Sequence, residues 1–288
     1  MTAIETSRRA THGRRPFLRR RSAIPGFGLS LGVTLAILST IVLIPLVAVV
    51  LKASQQSVPE FLAEAFSVRA LAAYRLSFGA AFIAAAINGV FGLATAWALV
   101  RYEFPGKNLV NAVIDLPFAL PTAVAGIALA ALYAENGWVG ALLKPLGWKI
   151  AYTPLGVIVA LAFIGLPFVV RTVEPVMRDL SADVEEAAAS LGAGRLDTVL
   201  RVILPALMPS WLTGFALAFA RGIGEYGSVI FIAGNMPYRS EIAPLLIVIQ
   251  LEEYKYAAAA AIAVVMLGAS FSMLFVINAI QAWARRRG

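Results

Sequence analysis

The chain has 288 residues, of which 60% are hydrophobic and only 14% charged, and its mean hydropathy is +0.82. A soluble domain carries roughly 25% charged residues, so this composition excludes a soluble globular protein. The absence of cysteine excludes disulfides, zinc–thiolate sites and iron–sulfur clusters. The net charge of +8 does not indicate nucleic-acid binding, because the arginines lie beside apolar segments, as membrane-topology signals do.

Residues 1–28 contain seven arginines and the single histidine, His12, and we interpret them as a disordered cytoplasmic tail in which the histidine is solvated. Within this tail, the run from Arg14 to Arg19 imitates a twin-arginine export signal. The apolar segment that follows is longer than the core of a signal peptide. Because further apolar segments come after it, we expect it to be retained as a membrane span.

Six segments are long and apolar enough to cross a bilayer as helices. They cover approximately residues 29–51, 76–100, 109–133, 154–172, 206–232 and 257–280. The predicted fold class is therefore all-α, a polytopic membrane protein with six transmembrane helices. The two prolines between Asp115 and Pro121 are expected to break the third span near its start. The predicted divisions are the tail (1–28), a first span with a periplasmic loop (29–68), a transmembrane domain (69–280) with a polar loop at 181–205, and a basic cytoplasmic C-terminus (281–288).

The segments that connect the spans alternate in charge. Sixteen arginines and lysines lie on the side of the N-terminal tail, and seven lie on the opposite side. Cytoplasmic segments of membrane proteins are enriched in these residues. The bias therefore places both termini in the cytoplasm, which agrees with an even number of spans.

The polar loop between the fourth and fifth spans is the most informative part of the sequence. Asp183 and Glu186 are spaced as an acidic variant of the capping box, which predicts a short helix through Leu191. Gly192 and Gly194 are expected to supply the left-handed positions that end this helix. The loop is thus predicted to hold a helical hairpin.

The second helix of the hairpin is predicted over residues 195–203, and Pro205 is expected to start the fifth span. The alanines give the first helix a smooth face that fits a groove on another protein, with Glu185 and Glu186 available for basic residues there. The alternative is an amphipathic helix in the membrane interface. The absence of large apolar residues between Glu185 and Ser190 argues against it.

The hairpin also carries a recognisable signature. Its residues follow the order Glu186-Ala187-Ala188, three residues, Gly192, nine residues, Val202, one residue, Leu204-Pro205. This order resembles the cytoplasmic signature of permease subunits of bacterial ABC importers, with Val202 where isoleucine is usual. The resemblance implies the type I importer fold and a coupling element that contacts a separate ATPase subunit through Glu185, Glu186, Ala187, Ala188, Gly192, Leu204 and Pro205.

The fifth span contains two charged residues, Arg221 and Glu225. A charge near the bilayer centre costs about 2.5–3.5 kcal/mol on insertion scales, so these side chains are expected to face protein or water. Four residues apart on one helix, they are spaced to neutralise each other. Two readings stay open: a buried pair that fixes helix packing, or a pair on a permeation route that attracts an anion.

The sequence around this pair resembles permeases for tetrahedral oxyanions, which carry a similar Ala-Arg-x-x-Gly-Glu-Tyr/Phe-Gly run. The continuation through residues 228–247, together with residues 115–126, looks most like the T-type permease subunit of the sulfate/thiosulfate importer. The resemblance covers roughly residues 70–280. It implies a subunit of the bacterial inner membrane that carries sulfate, and with it thiosulfate, by alternating access.

The same resemblance implies the partners: a homologous second permease subunit in a heterodimer, two copies of an ABC ATPase and a periplasmic sulfate/thiosulfate-binding protein. ATP and Mg would be used by the ATPase, with no cofactor in this chain. A nucleotide-hydrolysing enzyme is excluded, because no lysine is followed by serine or threonine as a P-loop requires. A molybdate/tungstate permease and, with less support, an ATP-independent secondary anion transporter remain as alternatives.

Overall fold

The computed structural model describes residues 27–284, and this part of the chain is helical and contains no strand. The described residues divide into two compact units, with the boundary between Ala48 and Val49. Most of the predicted tail, including His12 and the twin-arginine-like run, lies outside the described residues. So do the last four residues of the predicted basic C-terminus.

The helices follow one another with short connections. They are α1 (Phe27–Ala53), α2 (Val58–Ala65), α3 (Val68–Arg101), α4 (Lys107–Ala119), α5 (Thr122–Tyr133), α6 (Trp138–Leu143, continued by a 3-10 turn at Lys144–Leu146), α7 (Pro154–Asp179), α8 (Ala182–Ser190), α9 (Arg195–Thr198), a π turn (Val199–Ile203), α10 (Leu204–Ile223), α11 (Val229–Ile232), α12 (Ala243–Glu252) and α13 (Tyr256–Ala284). Within residues 27–284, six helical segments are long and apolar enough to cross a membrane. The predicted fold class and number of spans are confirmed.

The bounds predicted for the third span, 109–133, were wrong, since the third membrane-spanning segment in the structure is Thr122–Leu146. The segment 109–133 consists of two helices, α4 and α5, separated by Leu120 and Pro121. Leu120 is extended, with ψ 137°, because a following proline disfavours the helical conformation of the residue before it. The predicted break therefore exists, but it lies in the middle of the segment rather than near its start.

The centre of the second unit is formed by α3, α7 and α10, which pack against one another. Small residues allow the close approach: a Cβ atom at Gly92 of α3 would lie 2.9 Å from Val169 Cβ of α7, and one at Gly214 of α10 would lie 2.8 Å from Val169 Cα. Helices in lipid associate through such small residues. The glycines thus let the three helices of this core pack closely.

Ion pairs join the elements at both ends of this core. At the start of α3, Arg69 donates from Nε and Nη2 to the two carboxylate oxygens of the buried Glu241, at 2.8 and 2.6 Å. At the other end, Arg171 of α7 donates to both oxygens of Asp115 of α4, at 2.8 and 2.7 Å, and to the buried Glu174 at 2.5 Å. Each buried carboxylate has a cation partner, as the low dielectric requires.

Two carboxylates outside the spans are held in their charged form by local hydrogen bonds. Ser57 caps α2 in a capping box, and hydrogen bonds from its backbone N–H and hydroxyl lower the pKa of the Glu60 carboxyl from its ordinary value. Between α12 and α13, the Lys255 ammonium donates to Glu253 at 2.7 Å and lowers the pKa of that carboxyl. Glu253 and its neighbour Glu252 are exposed, in keeping with the solvated surface expected of an adjacent acidic pair.

Candidate functional site

The first helix of the predicted hairpin is α8, and it begins two positions earlier than the capping pattern indicated. Ser181 is extended, with φ −65° and ψ 145°, and it is the N-cap, whereas Asp183 lies inside the first turn. The prediction of Asp183 as N-cap was therefore wrong. Both residue types favour the N-cap, and Ser181 is the first of the two after α7 ends at Asp179. Asp183 instead places its charge near the positive end of the helix dipole.

The reversal after α8 is made by a complete Schellman motif. The N–H of Ala193 donates to the carbonyl of Ala188 at 3.0 Å, and the N–H of Gly192 donates to the carbonyl of Ala189 at 2.9 Å. Gly192 has φ +84°, the predicted left-handed position. Gly194 does not share this conformation: it is extended, with φ −71° and ψ 163°, and serves as the N-cap of α9. One glycine turns the chain, and the second starts the next helix.

The second helix of the hairpin was predicted to be separate from the fifth span. In the structure it is continuous with that span. A single helical segment runs from Arg195 to Ile223. It widens into a π turn over Val199–Ile203, where the N–H of Leu204 donates to the carbonyl of Val199. Pro205 follows directly, and since it has no N–H to donate and its ring crowds the preceding turn, a wider turn there accommodates it. Leu204 and Pro205 thus lie at the base of the hairpin, where it enters the bundle.

The two faces of α8 differ in exposure. Glu185 and Ala188 are partly buried, and the Glu185 carboxylate forms an ion pair with the guanidinium of Arg101 at the end of α3. Glu186 and Ala187 are exposed on the other side. Glu185, predicted together with Glu186 as a contact for another protein, therefore has a partner within its own chain.

Large apolar side chains at the tip of the hairpin were missed by the sequence analysis. Leu191 and Leu196, on either side of the reversal, are 89% and 76% exposed, and Leu200 is 58% exposed. The signal was present in the sequence, since these leucines interrupt an otherwise polar loop. Together with Glu186 and Ala187, they give the hairpin an outer surface that is apolar at its tip and acidic on its side.

The second predicted site lies where the fifth span ends. Helix α10 stops at Ile223, so Glu225 follows the helix rather than sharing a face with Arg221, and the predicted span 206–232 is interrupted. The predicted pair nevertheless exists, with Arg221 Nη1 2.5 Å from Glu225 Oε2. The chain bends at Gly224, and this bend brings the carboxylate back to the guanidinium.

The Glu225 carboxylate is fully engaged within this turn. Its Oε1 accepts hydrogen bonds from the backbone N–H and the hydroxyl of Ser228, both at 2.9 Å. Glu225 is 2% exposed and Ser228 is completely buried, whereas the Arg221 side chain is 37% exposed. The negative charge is thus locked into the fold, and the positive charge keeps an accessible side.

The turn packs against a second interrupted helix. A Cβ atom at Gly227 would lie 3.2 Å from Thr122 Cβ, and one at Gly126 would lie 2.8 Å from Ser228 Cα. Thr122 is the first residue of α5, directly after the break at Leu120 and Pro121. Non-helical backbone at membrane depth is tolerated where it is buried in protein or lines a polar cavity. Two such breaks in contact, with one accessible cation beside them, form an arrangement suited to a small anion.

Comparison with known proteins identifies the family. Residues 88–287 match the family described as binding-protein-dependent transport system inner membrane component. The chain is 49% identical over 267 residues to the sulfate transport system permease protein CysT of Salmonella typhimurium, covering 93% of this chain and 96% of the relative. The CysT protein of Synechococcus elongatus is 50% identical over 249 residues, covering 86% of this chain and 90% of the relative.

Solved structures share the fold at much lower identity. A chain of the bacterial alginate ABC transporter, in complex with its alginate-bound periplasmic protein, superposes with a TM-score of 0.70 at 15% identity, covering 88% of this chain and 94% of that chain. A chain of the methionine ABC transporter in an inward-facing conformation superposes with a TM-score of 0.58 at 16% identity, covering 80% and 99%. These similarities establish the fold as that of importer permeases.

Proposed function

The chain belongs to the family of binding-protein-dependent transport system inner membrane components, the permease subunits of ABC importers, and we propose that its substrate is sulfate, with thiosulfate as a second substrate. The observation that carries this proposal is the 49% identity to a sulfate permease over nearly the whole length of both chains. As a multi-pass permease of this family it works with an ATPase and a binding protein. Its own role is to form the path, while hydrolysis takes place in a partner subunit.

The proposed assembly contains a homologous second permease, two copies of the ATPase, which uses ATP and Mg, and a periplasmic sulfate/thiosulfate-binding protein. Both termini are assigned to the cytoplasm, because sixteen arginines and lysines lie on that side and seven on the other. The hairpin then lies in the cytoplasm, at the ATPase. The segment before α12, held by Arg69 and Glu241, lies on the periplasmic side with the binding protein.

The hairpin is assigned to the ATPase contact. Its support is the exposed surface of Glu186, Ala187 and the tip leucines Leu191 and Leu196, which has both charge and apolar area to offer a partner. Movement of the ATPase dimer would shift the hairpin and, through it, the start of α10. A ligand or partner drives such a change only through different contacts in the two states, which this surface is suited to make.

The Arg221 turn is assigned to the anion path. In favour of this role, the guanidinium is more than a third exposed while Glu225 is occupied by Ser228. Arginine binds oxyanions through paired N–H donors. Glu225, 2.5 Å away, tempers the attraction so that the anion can leave again. In many secondary transporters, interrupted membrane helices form the substrate site, and the same physical reason supports a role for this turn.

Uptake of radiolabelled sulfate into proteoliposomes tests the proposal, with the co-purified complex reconstituted with and without the binding protein. Uptake that requires both ATP and the binding protein, and that unlabelled thiosulfate but not molybdate suppresses, is the expected result. Uptake of molybdate without sulfate would assign the chain to molybdate import instead. Uptake indifferent to ATP would contradict the importer mechanism.

A further inference from the structure

One ion pair joins the hairpin to α3. Arg101, the last residue of α3, pairs with Glu185 of α8, and the two side chains are 22% and 34% exposed. The Arg101 guanidinium also lies over the ring of Trp97, one turn earlier, at 6.0 Å from its centroid. Within residues 27–284, this is the one ion pair that joins the hairpin to another helix.

A cavity beside this ion pair indicates the role of the pair. A cavity of about 300 Å³ lies between the hairpin and α3, lined by Trp97, Glu185, Ala189, Thr198 and Val199 among others. This part of the boundary is therefore not filled by side chains. The Arg101–Glu185 pair bridges it beside the cavity, and the Trp97 ring limits the orientations open to the guanidinium.

The connectivity adds to the argument. The hairpin is covalently linked to α7 before it and to α10 after it, but α3 has no covalent link to it. Yet α3 packs against both of these helices at the centre of the bundle. A push on α8 thus reaches α7 and α10 through the chain, and it reaches α3 at this end through the side chain of Arg101.

We propose that Arg101 is a positioning residue for transport: through its ion pair with Glu185, it makes the cytoplasmic end of α3 move together with the hairpin. This inference rests on the proposed role of the hairpin as the ATPase contact. It also reassigns Glu185 from that contact to the permease's own interior. A partly exposed ion pair contributes little to stability, so breaking it affects coupling rather than folding.

Reversing the charges of Arg101 and Glu185, singly and together, in the reconstituted complex tests this role. Arg101→Glu and Glu185→Arg are each expected to retain co-purified ATPase and ATP hydrolysis, but to lower sulfate uptake per ATP at least about fivefold, the lower end of typical coupling between sites. The double variant, which restores the pair in reverse, is expected to recover uptake per ATP. Lys107→Glu is the matched control, because Lys107 lies nearby at the same end and pairs with Glu103, outside the hairpin.

Unchanged uptake per ATP in both single variants would overturn the proposal. Loss of the ATPase from Glu185→Arg, without recovery in the double variant, would return Glu185 to the ATPase contact and also overturn it. Failure of the proposed sulfate function is distinguishable, because it would appear as absent sulfate uptake in the unmodified complex.

A second experiment uses the absence of cysteine from the chain. Arg101→Cys and Glu185→Cys together place the only two thiols at the pair, where a short bifunctional thiol reagent can link them. Because this variant lacks the ion pair, its sulfate uptake per ATP is expected to be low before linking. If α3 and the hairpin move as one body, linking is expected to raise uptake per ATP, and cleaving the link is expected to lower it again. Uptake per ATP that linking leaves unchanged or lowers further would contradict the proposal.

Discussion

The hairpin and the turn at Arg221 both interrupt a helical path, and they satisfy the freed backbone groups in different ways. Both regions also contain residues that form an ion pair. At the hairpin, backbone groups bond to backbone groups through the Schellman motif at Gly192, so its acidic side chains are left for other partners. At the turn, the Glu225 side chain itself bonds the backbone of Ser228.

The difference follows from the surroundings of each region. Water can solvate exposed carboxylates such as Glu186, whereas a carboxylate buried in the protein, such as Glu225, must find its partners there. Acidic residues at the hairpin are thus available for binding, and Glu225 is committed to structure. At the turn, the positively charged side chain of Arg221 remains accessible.

Glu186→Lys makes the strongest test of the hairpin. It reverses an exposed charge without touching an internal contact, so the protein is expected to insert normally while the ATPase no longer co-purifies and uptake falls to the level of empty liposomes. Quantitative pull-down of the ATPase from detergent extract measures this. Glu103→Lys, with an 88% exposed side chain away from the hairpin, is the control. Normal pull-down and uptake by Glu186→Lys would remove the hairpin from the contact.

Glu225→Ala makes the corresponding test of the turn, and here stability is expected to change. Because Ser228 is buried and loses its hydrogen-bond acceptor, the loss is expected to be about 1–3 kcal/mol. Arg221 adds little to this cost, since its side chain is 37% exposed and can be solvated. Thermal unfolding in detergent measures the loss as a lowered Tm. Glu225→Gln, which keeps an acceptor for Ser228, is expected to lose less. A Tm equal to that of the unmodified protein would show that the carboxylate is not structural.

The role of the Arg221 charge in sulfate uptake is tested with a variant that leaves no unpaired buried charge. The double variant Arg221→Gln with Glu225→Gln keeps a neutral hydrogen-bonded pair, and we expect its sulfate uptake to fall about tenfold, equivalent to roughly 1.4 kcal/mol, at normal expression and Tm. Arg221→Lys, which retains the charge but not the paired donors, should fall in between. Unchanged uptake in the double variant would leave the pair with a packing role alone.

Gly192→Ala is expected to have the smallest effect. The added methyl group has open space around it, but φ +84° costs a residue with a side chain about 1 kcal/mol. The hairpin should therefore fray first, seen as faster hydrogen exchange at residues 182–193. Gly224→Ala is the matched control, since it also has open space and its φ is −90°. Equal exchange in both variants would mean that the left-handed turn does not limit the hairpin.

Local signals in the sequence predicted local structure well. The reversal at Gly192 and the pairing of Arg221 with Glu225 both depend on residues close in the chain, and both are present. The exact N-cap of α8 was missed because Ser181 and Asp183 are chemically equivalent candidates, and only the end of α7 decides between them.

Contacts between residues that are far apart in the sequence could not be predicted from residue spacing. Arg101 and Glu185 are 84 positions apart, and no periodicity relates them. The same holds for Gly126 against Ser228, where two helix breaks meet. The resemblance to importer permeases supplied the fold and the hairpin's role, but the internal partner of Glu185 emerges only from the packing of α3 beside α8.

The most direct test of the contrast between the two regions is the amount of sulfate transported per ATP hydrolysed, measured in proteoliposomes with the binding protein. In Glu186→Lys, hydrolysis stimulated by the binding protein and sulfate uptake should disappear together. In the variant with glutamine at both 221 and 225, stimulated hydrolysis should persist while uptake per ATP falls. If both variants changed the same quantity in the same way, the assignment of one region to the ATPase and the other to the anion would be contradicted.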